Sequence, residues 1–311
     1  EKENHTMKKI LAMLLALTLF VTAFAACGQT ETNTDSNTDN SGTTDTTNTD
    51  ANTDADADAE DSDAAYILDK GTLTIGITMF APINYYDEDG NLVGFDTELA
   101  TATCEMVGLT PEFVEINWDS KEIELNSKNI DCIWNGMCIT PERLENMSIS
   151  DPYLKNTQAM VMKAEREEEI MADVSGLTVV CEQGSTGEGK LLGTIEDDET
   201  VEVSASEYFA NANYVPVDSQ AKALMEVKAG TADVAVIDSV AAIGMINTDS
   251  NYSDLVINMD NNFGDQEYGI AFRQGSDFTA MVNEALQELQ AEGTFEELAA
   301  KYDLTDALLD R

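Results

Sequence analysis

Arg143 ends the stretch NGMCITPER, residues 135–143, in a chain that carries few positive charges. Thr140 is a residue type that caps helices and Pro141 suits the first helical position, so Arg143 is predicted at the third position of a helix. A cation at a helix N-terminus is unfavourable by about 0.5 kcal/mol, which predicts a compensating anion nearby. Two interpretations remain: a surface ion pair with an acidic residue, or a bidentate arginine that binds the carboxylate of a ligand.

A glycine-rich loop is the second candidate for chemistry. GSTGEGK, residues 184–190, matches most of a phosphate-binding P-loop. Leu191 stands where Ser or Thr must contact magnesium, and Glu188 would place a carboxylate among phosphates, so nucleotide binding is disfavoured. Two alternatives remain. The loop either only turns a strand into a helix, or its N–H groups, with Ser185 and Thr186, receive a smaller anion such as a carboxylate.

Composition excludes several classes of function. Acidic residues outnumber Lys plus Arg by 60 to 16 and the formal net charge is -44, so nucleic acid and anionic membrane surfaces are repelled. The single histidine, His5, precedes the first methionine, Met7. We therefore expect no Ser-His-Asp or Cys-His nucleophile, no metal site and no cofactor.

The N-terminal segment predicts the compartment. Lys8 and Lys9 precede an uncharged, mostly apolar run that ends at Ala26, and these features define a secretory signal over residues 7–26. A retained transmembrane helix is the alternative. The tetrapeptide FAAC resembles the bacterial lipobox, which implies that Cys27 is the lipidated first residue of the mature chain. We expect an extracytoplasmic protein whose contact with the membrane is this lipid anchor on the outer face.

Residues 27–65 form an acidic Asn/Thr/Asp tract that lacks Lys, Arg and aromatic residues. Such a tract buries too little apolar area to offset its ordering entropy, so it is predicted to be a disordered tether. The folded part is expected to begin at Tyr66. From there, short apolar runs alternate with helix-period segments, which predicts an α/β protein with parallel sheets in two lobes.

The predicted strands lie at about 73–77, 112–115, 131–134, 158–163, 177–181, 201–203, 233–237 and 267–272. The predicted helices lie at about 96–107 (with Asp96 as its cap), 120–127, from 140, 187–195, 218–229, 239–247, 277–291 and 294–302.

Eight stretches of this folded part share their order and spacing with one family: GTLTIG (71–76), VGFDTELA (93–100), NGMCITPER (135–143), SDPY (150–153), QGST (183–186), DVAVID (233–238), YGIAF (268–272) and EGTF (292–295). Together they resemble the family 3 solute-binding proteins of amino-acid ABC transporters. The resemblance implies the type II periplasmic-binding-protein fold, in which two Rossmann-like lobes are joined by two hinge strands. Lobe 1 would comprise residues 66–153 and 268–311, lobe 2 residues 158–263, and the hinges residues 153–158 and 264–268.

The function implied by the resemblance is that of a receptor, expected to be monomeric, which binds a free amino acid between its lobes and delivers it to the permease subunits of an ABC importer. Arg143 would bind the ligand's α-carboxylate, helped by Thr186. Gly136 would offer its carbonyl, and Asp238 its carboxylate, to the α-ammonium. A zwitterion reaches both Arg143 and Asp238 only when the lobes close, so ligand binding would select the closed form.

The resemblance also implies the walls of the ligand pocket. Phe80 and Trp118 would pack against the apolar stem of the ligand. Cys138 stands where the family usually has Ser or Thr, and a thiol is a weaker donor to a carboxylate.

The pocket for the ligand's side chain is less defined. Ile77 or Thr78 occupies the place where some family members have an aspartate that meets a polar or basic side chain. Glu182 maps beside this place and either binds a cationic side chain or faces solvent.

Two further alternatives stay open. Cyclohexadienyl dehydratases share this scaffold and use a carboxylic acid as proton donor, so an enzyme with Glu182 in that role is the competing function. An oxidising compartment permits a disulfide between Cys104 and Cys132, and two buried free thiols are the alternative. Cys181 is predicted to be a core residue.

Overall fold

The computed structural model describes residues 62–195, 201–246, 251–261 and 263–309. The predicted signal sequence, Cys27 and the predicted tether up to residue 61 lie outside these ranges. Within the described ranges, no helix combines the length and apolar character needed to cross a membrane.

The strands are β1 (Thr72–Ile77), β2 (Tyr85–Tyr86), β3 (Leu92–Val93), β4 (Thr110–Glu115), β5 (Cys132–Cys138), β6 (Met147–Ile149), β7 (Leu154–Asn156), β8 (Gln158–Lys163), β9 (Thr178–Glu182), β10 (Asn213–Val217), β11 (Val234–Asp238), β12 (Leu255–Asn258) and β13 (Gln266–Arg273). The helices are α1 (Asp63–Lys70), α2 (Phe95–Val107), α3 (Lys121–Asn126), α4 (Pro141–Asn146), α5 (Glu167–Ala172), α6 (Thr186–Leu192), α7 (Ala205–Tyr208), α8 (Gln220–Ala229), α9 (Ser239–Met245), α10 (Phe278–Ala291) and α11 (Thr294–Lys301). Short 3-10 helices lie at Trp118–Ser120, Ala164–Arg166 and Thr305–Ala307.

The first sheet has the strand order β4-β1-β5-β13-β6, and β7 pairs with the beginning of β13. The strand β1 is parallel to both β4 and β5, whereas β13 is antiparallel to its neighbours. Every residue of β5 is buried, as expected for a central strand with both faces covered. The helices α2, α10 and α11 contribute to one apolar cluster against this sheet.

The second sheet has the strand order β10-β9-β11-β8-β12. The strand β9 is parallel to β10 and β11, and β8 is antiparallel to β11 and β12. Separate apolar clusters cover its two faces. Because β9 and β11 are parallel neighbours, their carboxyl ends, Glu182 and Asp238, emerge on the same side of the sheet.

The chain crosses between the two sheets twice. The first crossing runs from β7 to β8 through Thr157, and the second runs from β12 to β13. Asn156 pairs with Gln266 across the two crossings, and the Thr157 hydroxyl donates to the carbonyl of Gly264 at 3.1 Å. The crossings are therefore adjacent and hydrogen-bonded.

The largest departures from the predicted elements are local. Residues 201–203 form no strand; the edge strand is β10 instead, whose half-exposed sequence NYVPV contains a proline that a sheet edge tolerates. The elements β6, β12, α1, α5 and α7 are additional to those predicted. The strand β5 also continues to Cys138 rather than ending at Trp134.

The structure corrects the predicted starts of two helices. The helix α1 begins at Asp63, before the predicted start at Tyr66, because Ser62 caps it by accepting from the Ala65 N–H at 3.0 Å and Asp63 pairs with Arg273. Asp96 is not the cap of α2. Gly94 holds that position, and Asp96 lies buried in the first turn.

Candidate functional site

A small cavity that opens to solvent lies between the two lobes, where β5, β9 and β11 end. All nine residues predicted to bind a ligand line it: Phe80, Trp118, Gly136, Cys138, Arg143, Glu182, Ser185, Thr186 and Asp238. Asn135 and Gln220 line it too. Asn135 carries a weak sequence signal, as a polar residue inside an apolar strand, whereas Gln220 carries none.

An irregularity in β5 exposes backbone to the cavity. The paired residues Gly269↔Met137 and Ala271↔Ile133 flank the irregularity. From the first pair to the second, β5 covers four positions and β13 covers only two, so β5 contains extra residues there. Gly136 lies in this extra length with a φ of 55°, in the left-handed region. A Cβ there would lie 3.1 Å from the rings of Phe80 and Tyr268, so the position requires glycine.

Asp96 holds this segment in place. Its carboxylate accepts the Gly136 N–H and the Tyr153 hydroxyl, both at 2.7 Å. Burial raises the pKa of Asp96 to about 7, although both hydrogen bonds act in the opposite direction. Asn135 is fixed in the same way, because its amide donates to the Thr78 carbonyl at 2.8 Å.

Arg143 lies at the third position of α4, as predicted, with Thr140 accepting its N–H at 3.2 Å. Its guanidinium donates to the carbonyl of Cys138 at 2.7 Å, to the hydroxyl of Thr186 at 3.3 Å and to the carbonyl of Gly184 at 3.2 Å. The side chain is buried, and burial lowers its pKa. The surface ion-pair interpretation is wrong, because Arg143 faces the cavity and pairs with no carboxylate of the described residues.

Asp238 is surrounded by amide donors. Asn156 donates to Oδ1 at 2.8 Å, Gln158 donates to the same oxygen, and Gln220 donates to Oδ2 at 2.8 Å. Burial raises the pKa of Asp238, and these amide hydrogen bonds act in the opposite direction. The carboxylate is therefore held in one orientation by amides from β7, β8 and α8.

The thiol of Cys138 belongs to the same amide cluster. Its Sγ lies 3.2 Å from Oε1 of Gln266 and 3.5 Å from Nδ2 of Asn156. The distance to Oδ1 of Asp238 is 3.9 Å. The thiol thus faces the surroundings of Asp238, while the carbonyl of Cys138 faces Arg143.

Glu182 is buried in the cavity wall, so the solvent-facing alternative is wrong. Burial and the charge of Asp238 raise the pKa of Glu182 to about 8, whereas Lys121 and Arg143 lower it. Lys121 is buried as well, and burial and Arg143 lower its pKa to about 8. Its ammonium donates to the carbonyls of Trp118 at 3.2 Å and Gly184 at 2.9 Å.

The glycine-rich loop is partly filled by its own side chains. Glu188 accepts the N–H of Gly184 at 2.6 Å, and Ser185 caps α6 by accepting the N–H of Glu188 at 3.1 Å. A carboxylate therefore already occupies the loop, which opposes binding of a phosphate there. Two groups of the loop contact Arg143: the hydroxyl of Thr186 and the carbonyl of Gly184.

The lobes touch on two sides of the cavity. On one side, Lys121 donates to Gly184, and Gln183 donates to Asp119 at 3.1 Å. On the other side, α9 contacts Pro82 so closely that a Cβ on Gly244 would lie 2.2 Å from the proline Cδ. We refer to this arrangement, in which the two lobes are in contact around the cavity, as the closed form.

The cysteines form no disulfide among the described residues. Cys104 and Cys132 are both buried free thiols, which is the second of the two alternatives. Cys181 is buried in an apolar cluster of the second sheet. The described residues also contain no group of His, Cys, Asp or Glu that could hold a metal ion.

Comparison with known proteins gives consistent matches. The profile of the family described as bacterial extracellular solute-binding proteins, family 3, matches residues 73–305. The arginine-binding extracellular protein ArtP of Bacillus subtilis is 30% identical over 217 residues, which cover 70% of this chain and 80% of that protein. The L-cystine-binding protein TcyA of Bacillus subtilis is 29% identical over 242 residues, or 76% and 83% of the two chains.

Among solved structures, an ABC uptake transporter substrate-binding protein from Streptococcus pneumoniae with bound histidine superposes with a TM-score of 0.71. It is 27% identical, and the match covers 81% of this chain and 100% of that one. These relatives are named as binding proteins.

Proposed function

Because the chain belongs to the bacterial extracellular solute-binding proteins of family 3, we propose that it is a lipid-anchored receptor that captures a free amino acid and delivers it to an ABC importer. Its fold is the predicted type II periplasmic-binding-protein fold. It is an extracytoplasmic binding protein rather than an enzyme on the same scaffold, since its relatives are binding proteins. The ligand class follows the relatives, whose names specify arginine, cystine and histidine.

One observation carries the proposal: Arg143 from the first lobe and Asp238 from the second are both buried and line one cavity. A buried charge needs a partner of opposite sign. The described hydrogen bonds of Arg143 use three of the five N–H donors of a guanidinium, so two are left for a ligand carboxylate. An α-amino acid carries both complementary charges at a fixed short separation.

We assign the ends of the ligand as follows. The α-carboxylate binds Arg143, with Thr186 beside it, and the α-ammonium binds Asp238 and the carbonyl of Gly136. Both sets lie in one cavity only because the lobes are closed, so a zwitterion stabilises the closed form through contacts that an open form lacks. Charge-assisted hydrogen bonds of roughly 1.5 to 3 kcal/mol each supply this preference.

The remaining lining residues have supporting roles in this proposal. Phe80 and Trp118 pack against the apolar stem of the ligand. Ser185 caps α6 and so positions Thr186. Cys138 hydrogen-bonds within the amide cluster around Asp238, and we propose that its thiol orients Gln266 rather than binding the carboxylate.

The lobes open and close about the two crossings in this proposal, at residues 153–158 and 264–268. Lobe 1 comprises residues 66–153 and 268–311, extended by α1, and lobe 2 comprises residues 158–263. We propose a monomer whose closed form is the one that the permease recognises.

The anchor and the delivery step each have a test. If Cys27 carries a lipid, the wild-type protein should incorporate labelled palmitate. The Cys27→Ala protein should not incorporate it and should be released into the medium. Uptake of the labelled ligand by cells should require both this protein and the permease subunits of an ABC importer. A membrane-bound protein that takes up no label and retains its N-terminal segment would instead support the transmembrane alternative.

The binding proposal is tested by calorimetry of the purified full-length protein with each common amino acid. At least one amino acid is expected to bind with a single site and to raise the unfolding temperature. The same ligand without its α-carboxylate, or without its α-ammonium, is expected to bind far more weakly. Absence of both heat and thermal shift for every amino acid would falsify the proposal.

A further inference from the structure

Glu182 has a polar atom that the described chain leaves unpartnered. The residue ends β9, lines the cavity and is only 3% exposed. Its Oε1 atom is buried, and no described residue donates a hydrogen bond to it. A buried carboxyl oxygen without a donor is costly, so its location in a binding cavity points to a donor on the ligand.

The surroundings of Glu182 favour a positively charged donor. Phe80 lines the same cavity, and aromatic faces attract cations, whereas the ring of Trp118, which also lines it, already lies 4.9 Å from the ammonium of Lys121. Lys121 influences Glu182 electrostatically, but its ammonium is held by two carbonyl groups and forms no ion pair with Glu182 among the described contacts. The carboxyl group of Glu182 therefore remains available within the cavity.

Resting on the proposed function, we propose that Glu182 binds a cationic group at the end of the ligand's side chain, so that the ligand class is amino acids with a side-chain guanidinium or amine. Arg143 and Asp238 bind the two charges common to all amino acids, and Glu182 binds the third. The selectivity for side-chain charge resides in lobe 2, at the end of the strand next to that of Asp238.

Proton release accompanies this recognition. The charged groups that act on Glu182 are Asp238, which raises its pKa together with burial, and Lys121 and Arg143, which lower it. With a pKa of about 8, Glu182 is mostly protonated at neutral pH before the ligand binds. A cation within hydrogen-bond distance favours the ionised form, so binding releases the proton, and affinity for a cationic ligand increases with pH up to about pH 8.

Citrulline has a neutral ureido group of similar size in place of the guanidinium of arginine. Comparing the affinities of the two ligands therefore tests the effect of charge at nearly constant shape. Calorimetry of the wild-type full-length protein is expected to give an arginine affinity about tenfold to hundredfold higher than that of citrulline. Glu182→Gln should reduce the ratio of arginine to citrulline affinity to near one, because it lowers the affinity for arginine. It should change the affinity for citrulline less than about threefold. The control Glu207→Gln removes an exposed carboxylate of the same lobe outside the cavity, and should leave the ratio unchanged.

A second measurement needs no variant. Titration of arginine near neutral pH in two buffers of different ionisation enthalpy is expected to show release of about one proton per site, and citrulline close to none. Lysine, which carries a smaller cation, should likewise release about one proton on binding, and the neutral norleucine close to none.

The outcomes distinguish this inference from the proposed function. Equal affinity for arginine and citrulline, tighter binding of glutamate than of arginine, or equal loss of both ligands in Glu182→Gln overturns the role of Glu182 while amino-acid binding stands. Binding of no amino acid at all overturns the proposed function itself.

Discussion

Asp238 and Glu182 end neighbouring parallel strands of the second lobe, and both are buried carboxyl groups that line one cavity. Burial is the largest cause of the raised pKa of each. Their partners differ. Asp238 accepts hydrogen bonds from three amides, whereas the buried Oε1 of Glu182 accepts none from the described residues.

In our proposal, this difference corresponds to two parts of an amino-acid ligand: Asp238 binds the α-ammonium that all amino acids share, and Glu182 binds the side chain that varies. Amides of Asn156, Gln158 and Gln220 orient the carboxylate of Asp238 before any ligand arrives, as suits a group that every amino acid carries. Two of these amides come from β7 and β8, on either side of the first crossing, so the proposed ammonium site lies next to the proposed hinge. No described residue supports the buried Oε1 of Glu182 in this way, and in our proposal the side chain of the ligand supplies its donor.

The largest effect expected from this comparison is that of Asp238→Asn. Removing one partner of a buried charge pair costs about 3 kcal/mol, so affinity should fall by about a hundredfold or more for every amino acid, cationic or neutral. Calorimetry with arginine and citrulline measures this. Asp254→Asn, which removes a half-exposed carboxylate of the same lobe, is the matched control. A loss confined to arginine would reverse the roles of the two carboxyl groups.

Arg143→Ala comes next and tests the opposite end of the ligand. Leaving a ligand carboxylate without its guanidinium should cost about 2 kcal/mol, or about thirtyfold in affinity, again equally for cationic and neutral ligands. Arg166→Ala is the control, because that arginine pairs with Asp233 and Glu169 near the surface. Wild-type affinity in Arg143→Ala would mean that the carboxylate binds elsewhere.

The pH dependence of stability gives a smaller effect that concerns the protein without ligand. The pKa of Glu182 rises from an ordinary value of 4.5 to about 8 on folding, so its contribution to stability is complete below about pH 4.5 and is lost as the pH rises through about 8. Glu182→Gln should therefore raise the free energy of unfolding near pH 8 by about 1 to 2 kcal/mol, since the cost of burying the amide offsets part of the gain.

Urea unfolding of both proteins across this pH range measures that difference. Asp96 and Asp238 also have raised pKa values, so some loss of stability with pH should persist in the variant. Parallel curves for the two proteins would contradict a protonated Glu182 in the free cavity.

The smallest effect should come from Gly244→Ala, which touches neither carboxyl group. The added Cβ would overlap Pro82 in the closed form alone, so the closed population should fall and all ligands should lose about 1 kcal/mol, or about fivefold, together. The ratio of arginine to citrulline affinity should stay unchanged. A change in that ratio would show that the site itself had been distorted.

Local patterns carried much of the prediction. The sequence Thr140-Pro141 predicts the start of α4 and so the position of Arg143, because capping depends on adjacent residues. The end of β11 at Asp238 follows from an apolar run of strand length. The strand β10 was not predicted, because this edge strand has neither a continuous apolar run nor a regular alternation of apolar and polar residues.

The sequence by itself determined the alternation of strands and helices, the two-lobed α/β class and the residue types at the cavity. Only the tertiary structure decided which way Glu182 and the thiol of Cys138 face, that β5 carries extra residues at Gly136, and that Asp96 supports this segment rather than capping a helix. The physical reason is how far apart along the sequence the interacting residues lie. Caps and periodicity depend on residues a few positions apart, whereas burial, pKa and hydrogen-bond partners at the cavity depend on segments about 100 positions apart, such as Cys138 and Asp238.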